Sequence, residues 1–250
     1  MIDLSHIYVT FNKDTPQQVL ALKDVSLSII PGEFVVIVGS NGSGKSTLLN
    51  VLAGTIRASA GSVVFDKQDV TAWPEYMRSR LVSRVFQDPM KGTAPELTVL
   101  DNLRLAALRT QPKTLRYGTT KAFEQQVKTE VASLQLGLEE KLNQPIGMLS
   151  GGQRQALTLL MATMDMSKLL LLDEPVAALD PRTSETIMHL AQRIITTHQL
   201  TAVMVTHSLK HASEYGTRII HMHDGIVLRD ITGNEKQQLS PQHILPWFVG

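Results

Sequence analysis

Phe34-Val-Val-Ile-Val38-Gly39-Ser-Asn-Gly-Ser-Gly-Lys-Ser46-Thr47 is the stretch on which the fold turns. Phe34 to Val38 is apolar throughout and mostly β-branched, as expected of a strand covered on both faces in a parallel sheet. Gly39, Ser40, Asn41, Gly42, Ser43 and Gly44 then let the backbone curl so that successive N–H groups point inward. Good helix formers follow from Ser46 to Ala53, with Leu48, Leu49 and Leu52 on one side. Strand, glycine-rich loop and helix in that order make a phosphate cradle, to which the helix N-terminus adds the positive end of its dipole. Lys45 is expected to reach the β- and γ-phosphates of a nucleotide, Ser46 to bind Mg²⁺ through its hydroxyl, and Thr47 to add a phosphate contact.

The rest of the chain is compatible with such a core. Its 250 residues, 43% hydrophobic, suffice for one large domain or two small ones. Lys and Arg number 24 against 23 Asp and Glu, so there is no general electrostatic grip on nucleic acid or anionic lipid. The absence of cysteine excludes a disulfide framework, a cysteine zinc site and a thiol nucleophile. Met1-Ile2-Asp3-Leu4-Ser5-His6 lacks the basic start and apolar run of a secretory signal, which predicts a cytoplasmic chain. The apolar stretches Phe34 to Val38 and Leu169 to Leu172 fall far short of the roughly 20 residues of a membrane helix, so any attachment to a membrane must come through a partner.

Outward from the loop, Ile2 to Phe11 and Val25 to Ile30 alternate as strands, and Pro31-Gly32 marks a turn. Between Gln87 and Leu149 the pattern becomes helical. Thr98-Val-Leu-Asp101 reads as the cap of a helix through Leu108, and Phe123, Val127, Val131 and Leu134 recur at helical spacing up to Gly137. Arg109 to Thr120, polar with a proline and a glycine, reads as a linker. Alternating elements then return: a strand at Leu169 to Leu172, a helix from Ser184 to His198, a strand at Thr201 to Val205, and a closing hairpin with Asp224-Gly225 between Ile219–His223 and Ile226–Leu228.

Two further motifs carry chemistry. Asp173-Glu174 follows a buried strand, where α/β sheets place their ligands. Asp173 suits the magnesium ion, directly or through its water, and leaves Glu174 to polarise an attacking water. Leu149-Ser150-Gly151-Gly152-Gln153 forms a capping box with Ser150 and Gln153, its glycines allow close backbone approach, and an amphipathic helix follows through Ala156, Leu157, Leu160 and Met164. Alone it permits an ordinary capped helix. Beside the first cradle it is a second helix N-terminus suited to an anion, and a nucleotide held by another copy accounts for it best.

Taken together the motifs resemble those of the nucleotide-binding subunits of the ABC transporter family, over essentially the whole length. Gly39 to Thr47 match its Walker A, Gln87 in Val85-Phe-Gln-Asp-Pro89 its Q-loop, Leu149 to Gln153 its signature, Asp173 and Glu174 its Walker B, Ala178-Leu-Asp180 its D-loop, and His207 its switch histidine. The resemblance implies an ATPase of α/β class: a P-loop NTPase core with a parallel sheet, an N-terminal antiparallel β subdomain and an inserted helical subdomain. It implies one domain over 1–250, with a catalytic lobe at about 1–87 and 168–250 and a helical subdomain at about 88–167. Ser150 and Gly152 would meet the γ-phosphate held by the opposite protomer, with Gly151, Gln153 and Asp180 among the nucleotide-binding residues. His207 would contact the γ-phosphate in its own protomer, and Gln87 would touch magnesium or its water. Phe11 aligns with the residue that stacks on adenine, with Tyr8 its competitor on the opposite face of the strand.

The implied partners are a second copy of the chain in an ATP sandwich, integral membrane permease subunits docked on the helical lobe and, indirectly, a solute-binding protein; nucleic acid is not among them. The size resembles that of bacterial importer ATPases. The long first hairpin, with Gly92-Thr-Ala-Pro95 and Gln155 to Met161, resembles systems proposed for aromatic amino acids. An exporter ATPase, a non-transport ABC ATPase and a P-loop kinase are the alternatives, and neither the heptads nor the second P-loop of non-transport relatives is present. Two departures stand out. Val176 and Ala177 replace the family's usual Thr-Ser before Ala-Leu-Asp, and Asn12 to Gln18 lengthen the first hairpin.

Overall fold

The protein is described by a computed structural model covering residues 1–111, 119–165 and 167–248. Most of the linker read at Arg109 to Thr120, residues 112–118, lies outside the described residues. The chain begins with two long strands, β1 (Ile2–Phe11) and β2 (Val19–Ile29), then β3 (Phe34–Val38) and α1 (Lys45–Ala53). Next come β4 (Ala60–Phe65), β5 (Gln68–Asp69), α2 (Glu75–Arg78) and β6 (Val82–Val85). The helical stretch supplies α3 (Val99–Ala107), α4 (Lys121–Ala132) and α5 (Gly151–Thr163). The remainder is β7 (Leu169–Asp173), α6 (Pro181–Thr197), β8 (Ala202–Val205), α7 (Leu209–Glu214), β9 (Arg218–His223), β10 (Ile226–Thr232), α8 (Gly233–Gln237) and α9 (Pro241–Ile244).

The chain packs as two units, one of residues 1–82, 168–174 and 195–250, the other of residues 83–167 and 175–194. One sheet is antiparallel, ordered β2-β1-β4-β5; the other is ordered β10-β9-β3-β8-β7-β6, with β3 parallel to both β8 and β9 and β7 parallel to β8. This is the mixed α/β architecture that the resemblance implies. All five residues of β3 are buried, as its composition predicts, and the core of the first unit runs from Ile37, Leu48 and Leu52 to Phe65, Leu171 and Val205.

The N-terminal sheet departs from simple alternation. Ile2 and Leu4 are buried, then Ile7 and Val9, because His6 (φ +51°) is a bulge in β1, matched by Asp24 (φ +60°) in β2. Their side chains meet, His6 Nδ1 lying 2.6 Å from Asp24 Oδ1. A bulge adds a residue to one strand, so only this pairing restores the inward set. β2 also starts at Val19, six residues before the alternation becomes visible in sequence.

In the second unit Thr98 caps α3 as predicted, its hydroxyl accepting the N–H of Asp101. Val127 and Val131 are buried on α4, which ends at Ala132; Leu134, placed in that helix by spacing, lies beyond it, though buried. α6 starts three residues earlier than predicted, at Pro181, because Asp180 accepts the N–H of Thr183 and proline suits the first helical position. Buried Asn102 ties the loop before α3, its amide donating to the carbonyls of Ala94, Leu97 and Thr98 and accepting from the N–H of Ala94. Among the described residues no helix is long and apolar enough to cross a membrane.

Candidate active site

The phosphate loop sits at the carboxyl end of β3, and its glycines are forced by close neighbours. Gly39 has φ +149°, and a Cβ there would lie 2.1 Å from the carbonyl oxygen of Met222; at Gly44 (φ +97°) it would lie 2.8 Å from the carbonyl of Ala21. No other residue fits either place without moving backbone. Gly44 brings no side chain to α1, so the amides of the first helical turn are left for an anion. Lys45 is 5% exposed and bends back over the loop, its Nζ donating to the carbonyls of Gly39 at 2.8 Å and Ser40 at 2.7 Å and to Ser43 Oγ at 3.4 Å. Burial lowers the pKa of its ammonium, and the charge of Glu174 opposes that shift. Ser46 and Asn41 are exposed, and Thr47 is half-buried.

Behind the loop, buried Arg78 donates to the carbonyls of Val51, Leu52 and Val70, satisfying the end of α1 from below. In front, the Asp224-Gly225 turn joins the antiparallel sheet to the loop. Gly225 N–H donates to the Ser43 carbonyl at 3.1 Å, Lys23 N–H donates to the Gly225 carbonyl at 2.8 Å, and Lys23 Nζ meets Asp224 Oδ2 at 2.5 Å. The sequence marks this turn but not its neighbours, because the partners are some two hundred residues apart.

β7 and β8 deliver the acidic and basic groups. Asp173 ends β7, half-buried, in register with Val205. Glu174 follows with φ +46°, in the left-handed region that few side-chain-bearing residues adopt. Its N–H donates to the Val205 carbonyl at 3.0 Å, which holds the turn, and its Oε1 lies 3.0 Å from His207 Nε2. His207 stands just past β8, after Thr206, whose hydroxyl accepts the N–H of Ser208. Three neighbouring strands thus bring Lys45, Glu174 and His207 to one sheet edge.

The second unit holds the other motifs. Ser150 caps α5, its hydroxyl accepting the Gln153 N–H at 3.3 Å while Gln153 Oε1 accepts the Ser150 N–H at 3.4 Å: the capping box predicted from sequence. Arg154 donates to the carbonyls of Ile146, Gly147 and Leu149 and stiffens the turn ahead of it. Ser150 and Gly151 are exposed and Gly152 is half-buried. Cβ atoms on Gly151 and Gly152 would lie 3.3 Å from Leu179 and 2.3 Å from the methyl of Thr183, so residues on both sides of Asp180 pack on the signature glycines. Asp180 itself is exposed and spent on capping α6. Gln87 is exposed, just beyond β6. Phe11, opposite Val19 at the open end of β1, is 38% exposed, whereas Tyr8 is half-buried.

Residues 22–177 match the ABC transporter family. The chain belongs to it. Among its relatives in that family, the tyrosine transport ATP-binding protein of Clostridioides difficile is 40% identical over 99% of this chain and 98% of its own length. The lipoprotein-releasing system ATP-binding protein LolD of Syntrophotalea carbinolica is 34% identical over 90% of this chain and 96% of its own. A dimeric ATP-binding cassette in a post-hydrolysis state with ADP and Pi superposes with a TM-score of 0.78, at 30% identity, over 93% of this chain and 98% of that one. As an ABC cassette the chain is an ATP-binding ATPase.

Proposed function

We propose that two copies of this chain close around two ATP molecules and drive the uptake of a small solute, an amino acid, through membrane permease subunits. The observation that carries this reading is the convergence of Lys45, Glu174 and His207 at the ends of β3, α1's leading loop, β7 and β8, with Glu174 and His207 3.0 Å apart.

Lys45, now satisfied by loop carbonyls, exchanges them for the β- and γ-phosphate oxygens, while the glycine loop lends its amides. Glu174 accepts the proton of the attacking water, and His207 holds the γ-phosphate against it. Ser46 and Asp173 supply the hard oxygen donors that suit Mg²⁺, with Gln87 reaching the ion or its water. When bound, the ion neutralises charge on the phosphates. Ser150, Gly151, Gly152 and Gln153 close over the nucleotide of the opposite copy, with Asp180 beside them, and Phe11 stacks on adenine.

A groove of about 600 Å³ in the second unit, lined by Phe86, Lys91, Leu105, Arg109 and Met161, suits a helix presented by the permease. The chain is then peripheral on the cytoplasmic face, with the catalytic lobe at about 1–87 and 168–250 and the helical lobe between. The 40% identity to a tyrosine transport protein across both full lengths favours amino-acid uptake fed by a solute-binding protein. Export is the second reading, favoured by the lipoprotein-releasing relative at 34%.

The test is light scattering of Glu174→Gln with saturating ATP and magnesium. The variant is expected to double its mass with ATP and not with ADP; a monomer under both conditions rejects the sandwich.

A further inference from the structure

The segment after β10 returns to the active site, and two consecutive aromatic residues do the returning. Trp247 is buried at 6% exposure, its indole stacked on the His221 imidazole at 5.2 Å and 11°, with the Arg229 guanidinium 5.4 Å from the ring centroid on β10. A flat ring laid against an imidazole and a cation that are paired across two neighbouring strands is a firm anchor. His221 pairs in register with Val38, the residue before the phosphate loop, so the anchor rests on the strand next to the loop's own. Ile244, fully buried, and the capping box of Ser240 and His243 fix the helix that leads into it.

The next residue points at the dyad. The Phe248 ring lies 6.3 Å from the His207 ring at 61°, an edge-on arrangement, and the Phe248 N–H donates to the Leu245 carbonyl at 3.2 Å. His207 side chain is 38% exposed, in the connection after β8. A single close contact to Glu174 leaves an imidazole free to turn about its own side-chain bonds, and an aromatic edge against its ring restricts that freedom.

We propose that Phe248 is a positioning residue for His207: Trp247, anchored on His221 and Arg229, holds the Phe248 ring against the imidazole so that Nε2 stays directed at Glu174 and the γ-phosphate. The proposal rests on the reading of His207 given above. It assigns Phe248 no contact with the nucleotide and predicts that its loss lowers turnover and leaves ATP affinity alone.

The experiment measures ATPase activity of the full chain carrying Phe248→Ala, Phe248→Leu, Phe248→Tyr, His207→Ala and the double change Phe248→Ala with His207→Ala. It also records the ring-nitrogen NMR signals of ¹⁵N-histidine-labelled protein. Phe248→Ala is expected to lower kcat about tenfold with KM for ATP unchanged, since small misplacements of a reacting group cost that order. It should also shift or broaden the His207 signal. Phe248→Tyr restores both, and the double variant is no worse than His207→Ala. If Phe248→Ala unfolds, Phe248→Leu, which keeps the bulk and loses the aromatic edge, reads the same quantities. Unchanged kcat and an unmoved His207 signal in Phe248→Ala and Phe248→Leu, beside an inactive His207→Ala, overturn the proposal alone. Full activity in His207→Ala overturns the reading of the site, and the proposal falls with it.

Discussion

The two helix N-termini proposed to meet phosphate are finished in opposite ways. At α1 the loop closes on itself: Lys45 is 5% exposed and its ammonium is shared among the loop's own oxygens. At α5 the turn is stiffened from behind, by Arg154 and the Ser150–Gln153 box, while Ser150 and Gly151 stay open to solvent. The contrast separates two jobs. A cradle that holds its own ligand must exclude water and keep its charge satisfied meanwhile, because an unpaired buried ammonium is costly. A turn that meets a ligand held elsewhere needs rigidity and access, and a neutral capping box provides both.

The sharpest blow to the first half comes from beneath it. Arg78→Ala removes a guanidinium that holds three carbonyls around the end of α1 and is expected to lower stability by about 4 kcal/mol, read from urea unfolding. Although burial draws the pKa of Arg78 down to about 10, the group is charged at neutral pH, so the loss is that of charge-assisted bonds. Lys45→Ala is expected to weaken ATP binding about a hundredfold with little change in melting temperature, measured by nucleotide titration. If the fold is lost instead, the lysine serves the empty loop more than the ligand. At the second half, Ser150→Ala should cost only about 1 kcal/mol in stability and leave ATP binding to one copy intact, while ATP-driven dimerisation weakens.

The smallest effect concerns pH. Burial holds the His221 imidazole below its ordinary range. The unfolded chain therefore takes up a proton first as pH falls through about 6.5, and stability is full above that value and declines below it. The Trp247 backbone opposes that shift, while the charges of Arg229 and His223 add to it. Hydrogen exchange of Trp247 at pH 7 and pH 5 should show the strap loosening in acid, and His221→Phe, which keeps the stack without the titration, should flatten the difference.

What could be read in the sequence was local. The cradle, the carboxylate pair and the capping box are each written in a few adjacent residues whose types admit one geometry, and β3, α3 and α5 follow from patterns of the same reach. The bulge at His6 could not be read, since it exists to match Asp24, eighteen residues away, and the alternation of β1 gives no hint of the slip. Arg78 carries no signal in the sequence, because its partners are backbone carbonyls with no side-chain signature. Trp247 and Phe248 follow the last recognisable hairpin, and nothing in their composition says that they fold back on β9 and His207. Asp180 was read through resemblance as a nucleotide neighbour; its cap on α6 was available from the Asp-Pro pair itself.

The turn at Asp224-Gly225 has a consequence for how a nucleotide is met. Its backbone is bonded on one side to the strand that pairs with Phe11's and on the other to Ser43, so the shelf proposed for the base and the pocket proposed for the phosphates are parts of a single stiff caliper. On that proposal a purine triphosphate finds the span already set, and little ordering of this part of the chain accompanies binding.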